Sequence, residues 1–183
     1  MTMTTTLHFR LATPSDAPEI QHLIQSAFRA PDTRQNWTGN TALSSAFRID
    51  TTEILTNITT PDSAFLLASD PTGALIACIG ISRRTADADT ARFFMLAVDD
   101  AYQRSGIGRK VLAYAEEYVQ REWGVRRGGL NALSTREELI LWYLRCGYQK
   151  TGEVTPFPVE RFAGMELPQD MCFVEMEKVL VGK

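Results

Sequence analysis

Cysteine is scarce in this chain and unpaired: Cys78, Cys146 and Cys172 are the three, widely spaced and without a CxxC. An odd number in that arrangement gives no disulfide framework and points to a reducing compartment. Histidine is scarcer, with two residues, His8 and His22. No His/Cys/Asp cluster has metal-ligand spacing, so no metal is implied. No apolar run approaches the roughly 20 residues that cross a bilayer, and the N-terminal "MTMTTTLHFR" lacks the apolar centre of a leader. A basic excess is missing too: the formal net charge is −3, which argues against a general nucleic-acid binder. The expectation is a soluble, cytoplasmic protein with neither a nucleic acid nor a membrane as partner.

What is present is ordinary globular material, 183 residues with 44% hydrophobic and 22% charged, which bounds the chain to one domain over 1–183. "LHFRLA" alternates as a strand. Thr13 as N-cap, Pro14 at the first helical position and Asp16 three after the cap then predict a helix through Phe28. Residues 30–50 read as a long loop, the kind that is often a binding segment, followed by a short helix over 51–57. "SAFLLAS", the turn "DPTG" and "ALIACIGISRR" predict a hairpin, and "ARFFMLAV" a fourth strand. "IGRKVLAYAEEYVQREW" carries Ile107, Val111, Ala115, Tyr118 and Val119 on one helix face. "GGLNAL" reads as a strand, and "TREELILWYLRCG" as a helix that Gly147 ends at C′. A proline-stiffened "TPFP" and a last strand near "MCFVEMEKVL" follow. A strand-helix-strand unit after an antiparallel section predicts an α/β (α+β) fold: a mixed, mostly antiparallel sheet flanked by helices.

The stretch that asks for a function is "VDDAYQRSGIGRK", residues 98–110. A strand ends, two glycines appear among cations, and a helix begins at once. Glycines there let a ligand approach backbone N–H groups, and the helix start adds its positive dipole end, which suits a phosphate. A P-loop is ruled out by spacing, since Gly106-Ile107-Gly108-Arg109-Lys110 lacks GxxxxGK[ST]. A dinucleotide fingerprint fits Gly106 and Gly108 but meets Val111 at its third position. Basic clusters at Arg83-Arg84 and Arg126-Arg127 read as solvated surface.

Gln103-Arg104-Ser105-Gly106-Ile107-Gly108 resembles the Q/R-x-x-G-x-G/A signature of the GNAT acetyltransferase superfamily. It lies after a strand and before an amphipathic helix, as in that family. "LWYLRCGY" resembles its later helix end, with Tyr143, Gly147 and Tyr148 in register. The resemblance implies a GNAT-like fold and acetyl-CoA as acyl donor. It implies that backbone amides from Gln103 to Gly108 hold the diphosphate, with Arg104, Ser105, Ile107, Arg109 and Lys110 in the same cradle. It also implies a bulged fourth strand, splayed from the fifth, whose Leu96, Ala97 and Val98 meet the pantetheine and thioester. Tyr143 is the candidate acid for the departing thiolate, against a packing role beside Leu139, Ile140 and Leu144. The usual Asn and Ala of that helix are Arg136 and Leu139 here, so Asn131 is considered as a substitute polar contact.

Candidates for the base are Glu53, Asp99 and Asp100, of which Glu53 is carried forward. The acceptor is expected to be a primary amine of a small molecule or peptide. Protein lysine or N-terminal acetylation and a non-catalytic acyl-CoA sensor are the alternatives. Pairing into a homodimer is common among relatives and stays open here. The acceptor is expected to be read by two variable stretches, residues 29–50 and 156–169.

Overall fold

The computed structural model describes residues 6–84 and 86–181, so the first five of the ten N-terminal residues read for a leader lie outside it. Seven strands form one sheet: β1 His8–Leu11, β2 Ser63–Ser69, β3 Leu75–Arg83, β4 Thr90–Val98, β5 Arg127–Leu133, β6 Gln149–Pro156 and β7 Cys172–Val179. Five α-helices accompany them: α1 Ala17–Arg29, α2 Thr41–Ala46, α3 Thr51–Thr59, α4 Ile107–Trp123 and α5 Glu137–Arg145. The spatial order is β1-β2-β3-β4-β5-β7-β6. Only β4 and β5 run parallel, because α4 between them carries the chain back across one face. The expected mixed, mostly antiparallel sheet is what forms.

Strand alternation sends side chains to two cores. On one face Leu66, Ile79, Ile81, Phe93, Leu130 and Met176 pack with Ile107, Val111, Ala115 and Val119 of α4 and Ile140 of α5. On the other, Phe65, Leu67 and Cys78 pack with Ile20 and Ile24 of α1 and Ile54 of α3. Ile20, Ile24 and Ile54 are fully buried, which stabilises by about 1.5–3 kcal/mol each. Burial also pushes the Cys78 thiol up to about 12, so it is an inert apolar filler.

Three local readings change. The N-cap signal at Thr13 opens a 3₁₀ turn over Pro14–Asp16, and the α-helix starts at Ala17. Asp16 still accepts the Thr13 N–H at 2.7 Å and forms a two-bond pair with Arg10. The long loop contains α2, capped by the Asn40 side chain on the Leu43 N–H at 3.0 Å; its sequence, TALSSA, has no apolar stripe to announce it. Thr155 and Pro156 of "TPFP" belong to β6, the edge strand, which is exposed along its whole length.

Candidate active site

Three elements converge at the carboxyl end of β4. The first is β4 itself. Cys78 pairs with Ala97 and Gly80 with Phe94, so Met95 and Leu96 together oppose Ile79, and Met95 takes φ 50°. This is a β-bulge with a side-chain-bearing residue in the left-handed region, a conformation that costs on the order of 1–3 kcal/mol. β4 and β5 pair only from Thr90 to Arg92. Beyond Arg92 they part, leaving the backbone of Met95, Leu96, Ala97 and Val98 facing a gap. The resemblance implies both the bulge and the splay; what leaves no mark in the sequence is that the bulge falls at Met95.

The second element is the turn ahead of α4. Asp99 caps its 3₁₀ segment through the Ala101 N–H at 2.9 Å, Gln103 gives its side-chain amide to the Val98 carbonyl at 3.2 Å, and Ser105 bonds the Tyr102 carbonyl. Gly106 stands at φ 81° as N-cap with nothing within 4 Å of where a Cβ would lie. The first amide engaged by α4's own ladder is that of Lys110, on the Gly106 carbonyl at 3.2 Å. Among the described residues, the amides from Arg104 to Arg109 have no backbone acceptor. A run of free N–H groups at a helix start is an anion cradle. Arg104 adds an exposed guanidinium, and Lys110 is exposed beside it. Arg109 is turned elsewhere: it donates to the Arg145 carbonyl at 2.7 Å and closes the end of α5. Ile107 is buried in the core.

The third is α5. It ends in a Schellman motif, with Gly147 N–H on the Leu144 carbonyl at 3.0 Å and Tyr148 N–H on the Tyr143 carbonyl at 3.1 Å, Gly147 taking φ 95°. Tyr143 is 8% exposed, and its hydroxyl makes no hydrogen bond among the described residues. Burial pushes its pKa up to about 12 against the opposing pull of Arg136, so it is a protonated donor at neutral pH. Tyr148, by contrast, gives its hydroxyl to Glu116 at 2.9 Å, and Lys178 pairs with the same carboxylate at 2.7 Å; it is structural. Trp142 lies by Gly108, 3.7 Å from a Cβ built there.

The remaining expected residues stand outside this convergence. Glu53 is exposed in the first turn of α3, a helix that packs on α1 and β2. Asn131 donates to Glu175 at 2.9 Å, where Arg92 at 2.6 Å and Thr155 at 2.7 Å also donate. Burial would raise the Glu175 pKa, but those three donors outweigh it and hold the carboxyl below its ordinary value. This group lines a cavity of about 750 Å³ with Ser82, Arg84 and Glu153, starting where β4 and β5 separate. In the second variable stretch, Phe157 meets Phe162 and Phe173 at 5.1 and 5.6 Å between ring centroids, so its aromatics anchor the loop. The Glu175 cluster was not singled out from sequence. Alternation in "CFVEMEKV" places Glu175 opposite buried Met176, but alternation alone reads as a solvated face. Among the described residues there is no group of His, Cys, Asp and Glu that could hold a metal, and no helix long and apolar enough to cross a membrane.

Residues 61–150 match the acetyltransferase (GNAT) domain family. The ribosomal-protein-S18-alanine N-acetyltransferase of Escherichia coli superposes with a TM-score of 0.69 at 17% identity, over 97% of this chain and 96% of that one. The spermidine/spermine N-acetyltransferase of Vibrio cholerae, in mutant form, gives 0.66 at 14%, over 96% and 95%. A Salmonella typhimurium protein described as an acetyltransferase, solved with its cofactor acetyl-CoA, gives 0.66 at 18%, over 98% and 96%. No curated protein sequence matches the chain. The chain has the fold of these acetyltransferases, and residues 61–150 match the GNAT acetyltransferase domain.

Proposed function

We propose that the protein is an N-acetyltransferase that moves the acetyl group of acetyl-CoA to a primary amine of a small molecule or peptide. The observation that carries this reading is the parting of β4 from β5 beyond Arg92, with a turn of unengaged amides at the end of β4. The Salmonella typhimurium relative solved with acetyl-CoA supports the choice of ligand.

In this reading the amides from Arg104 to Gly108 hold the diphosphate, the expected Gln103 N–H being engaged by the Asp100 carbonyl at 3.3 Å, and the backbone from Leu96 to Val98 pairs with pantetheine. An N–H at Ala97 or Val98 polarises the thioester carbonyl. The amine attacks the carbonyl carbon directly, the C–S bond breaks, the thiolate takes a proton from Tyr143, and Tyr143 recovers one from the acylated nitrogen as the amide forms. An amine with a pKa near 10.4 has about 4 kcal/mol against deprotonation at neutral pH. In this reading that proton passes to water in the open polar cavity of Arg92, Asn131 and Glu175. That cavity, with Ala86 and Val154 as its apolar lining, suits a polar acceptor.

The test is a calorimetric titration with acetyl-CoA followed by thiol release on a panel of amines. Binding with turnover on at least one amine is expected. Tight binding with no thiol release on any amine or peptide would make the chain an acyl-CoA sensor, and no binding would remove the reading altogether.

A further inference from the structure

Glu175 draws one side chain from each strand around the gap: Arg92 of β4 at 2.6 Å, Asn131 of β5 at 2.9 Å and Thr155 of β6 at 2.7 Å. Strand alternation puts the residue two places along on the same face. β4, β5 and β6 run one way and β7 runs against them. A step toward the carboxyl end of β4 is therefore two residues forward on the first three strands and two back on β7. That step meets Phe94, Leu133, Phe157 and Phe173, all of them apolar and half-buried.

Their contacts fit one layer. Leu133 and Phe173 are opposed in the sheet, and Phe157 lies 5.6 Å from Phe173 between ring centroids. Across the gap Phe94 covers Gly80, where a Cβ would lie 2.3 Å from its ring. An apolar band on both sides of the gap thus separates the Glu175 layer from the end of β4. One pleat deep, it is roughly 6.6 Å thick.

The charges of the polar layer are already matched. Arg83 lies 4.0 Å from Asp62, Arg84 3.3 Å from Glu177 and Arg92 2.6 Å from Glu175. Of the charged residues lining the cavity, Glu153 alone has no ion pair among the described residues, and it stands exposed on the edge strand. No cation is left over to hold an anionic group. A second ammonium would have to cross the apolar band to reach carboxylates already engaged, losing hydration on the way. Hydrogen bonding is what the cavity offers, through Ser82, Asn131 and Thr155.

We infer that the acceptor is an amine on an unbranched apolar spacer of roughly five carbons, with a neutral hydrogen-bonding group such as an amide at its far end. This rests on the acyl-transfer reading above. The spacer lies in the band, the amide stands on the Glu175 layer, and the amine emerges at the end of β4. Phe94, Leu133 and Phe173 then set specificity by spacer length. A lysine side chain in a peptide and a free amino-acid amide share this chemistry.

Thiol release at saturating acetyl-CoA tests this on Nα-acetyl-lysinamide, its shorter diaminopropionamide homologue, hexylamine and putrescine. Nα-acetyl-lysinamide should exceed the short homologue at least about 100-fold in kcat/KM, since each methylene missing from an apolar slot is felt. Hexylamine, which lacks the amide, and putrescine, which ends in a charge, should each fall about tenfold below it. Leu133→Ser and Phe173→Ser should narrow the preference over the short homologue to about tenfold or less, through KM, with acetyl-CoA affinity by calorimetry unchanged. Equal kcat/KM for any of the other three amines overturns the inference, as does an unchanged preference in a variant that thermal unfolding shows to be folded. If neither variant folds, the wild-type ranking decides. A lysine-bearing peptide faster than the amide names a peptide as the source, and the reverse a small molecule; either supports the spacer. Should no amine be acetylated, the acyl-transfer reading fails on its own, and calorimetry with the same amines decides the site. Tighter binding of the long amide then supports it, and equal or absent binding overturns it.

Discussion

Tyr143 is held at its site by the turn that ends α5, and its environment sets what it can do. A hydroxyl without a hydrogen-bond partner, on a ring 8% exposed, keeps its proton because burial pushes its pKa up to about 12. For the proposed reaction, Tyr143→Phe should lower kcat about 100-fold, within the range of general acid catalysis, with acetyl-CoA affinity nearly unchanged. An unchanged kcat would leave the residue as packing. The pH profile carries the same assignment. With its pKa raised, the acid is protonated below about 12, so kcat/KM should climb as the amine loses its proton and show no falling limb up to pH 10. A descending limb centred near the ordinary tyrosine value, about 10, would contradict it. This residue was singled out through the resemblance of "LWYLRCGY" to the family's helix end. The resemblance implies a bulge in the fourth strand, but its placing at Met95, with φ 50°, was not legible, since nothing local in "FFMLAV" marks it.

At the scale of the element, the turn and α4 were read correctly to the residue because glycine and amphipathic spacing both mark the same boundary. The two glycines do different work. Gly106 is in the left-handed region with open space at its Cβ position, whereas Gly108 is in ordinary contact, 3.7 Å from Val98 and Trp142. Gly106→Val should therefore cost about 1–3 kcal/mol of stability from strain alone and weaken acetyl-CoA binding further by crowding the amides. Gly108→Ala should fold with stability equal to wild type or about 0.5 kcal/mol higher, as expected for Gly to Ala inside a helix. Urea unfolding and acetyl-CoA titration of both variants check this; equal affinity in Gly106→Val and wild type would remove the cradle. Other elements were less legible for physical reasons. α2 has six residues without an apolar face, so no burial pattern could reveal it, while the strand expected before the last one is β6, whose exposure along its length left its bounds unmarked. Arg109, read as a cradle cation, closes α5 instead, because which of several neighbouring cations reaches which carbonyl is decided in three dimensions.

For the molecule as a whole, the two halves of the sheet have to stay joined at the point where they part for a ligand. Backbone pairing between β4 and β5 stops at Arg92, and the Glu175 carboxylate continues it in side chains, tying Arg92 of β4, Asn131 of β5 and Thr155 of β6 to β7. The Glu175 side chain is 15% exposed, so replacing it by Gln leaves Arg92 without its anion and should cost about 1–3 kcal/mol at pH 7, somewhat less than for a fully buried pair. The pH dependence follows from the sign of the shift. Burial pushes the Glu175 pKa up, its three donors more than offset this, and the folded value lies below the unfolded one. Its contribution is therefore fully present above the unfolded carboxylate pKa of about 4.3 and is lost as pH falls through the folded value. Urea unfolding of wild type and Glu175→Gln at pH 7 and at pH 3 should show the gap between them shrinking in acid. A gap that stays constant would mean that shape, rather than charge, joins the strands at the mouth of the site.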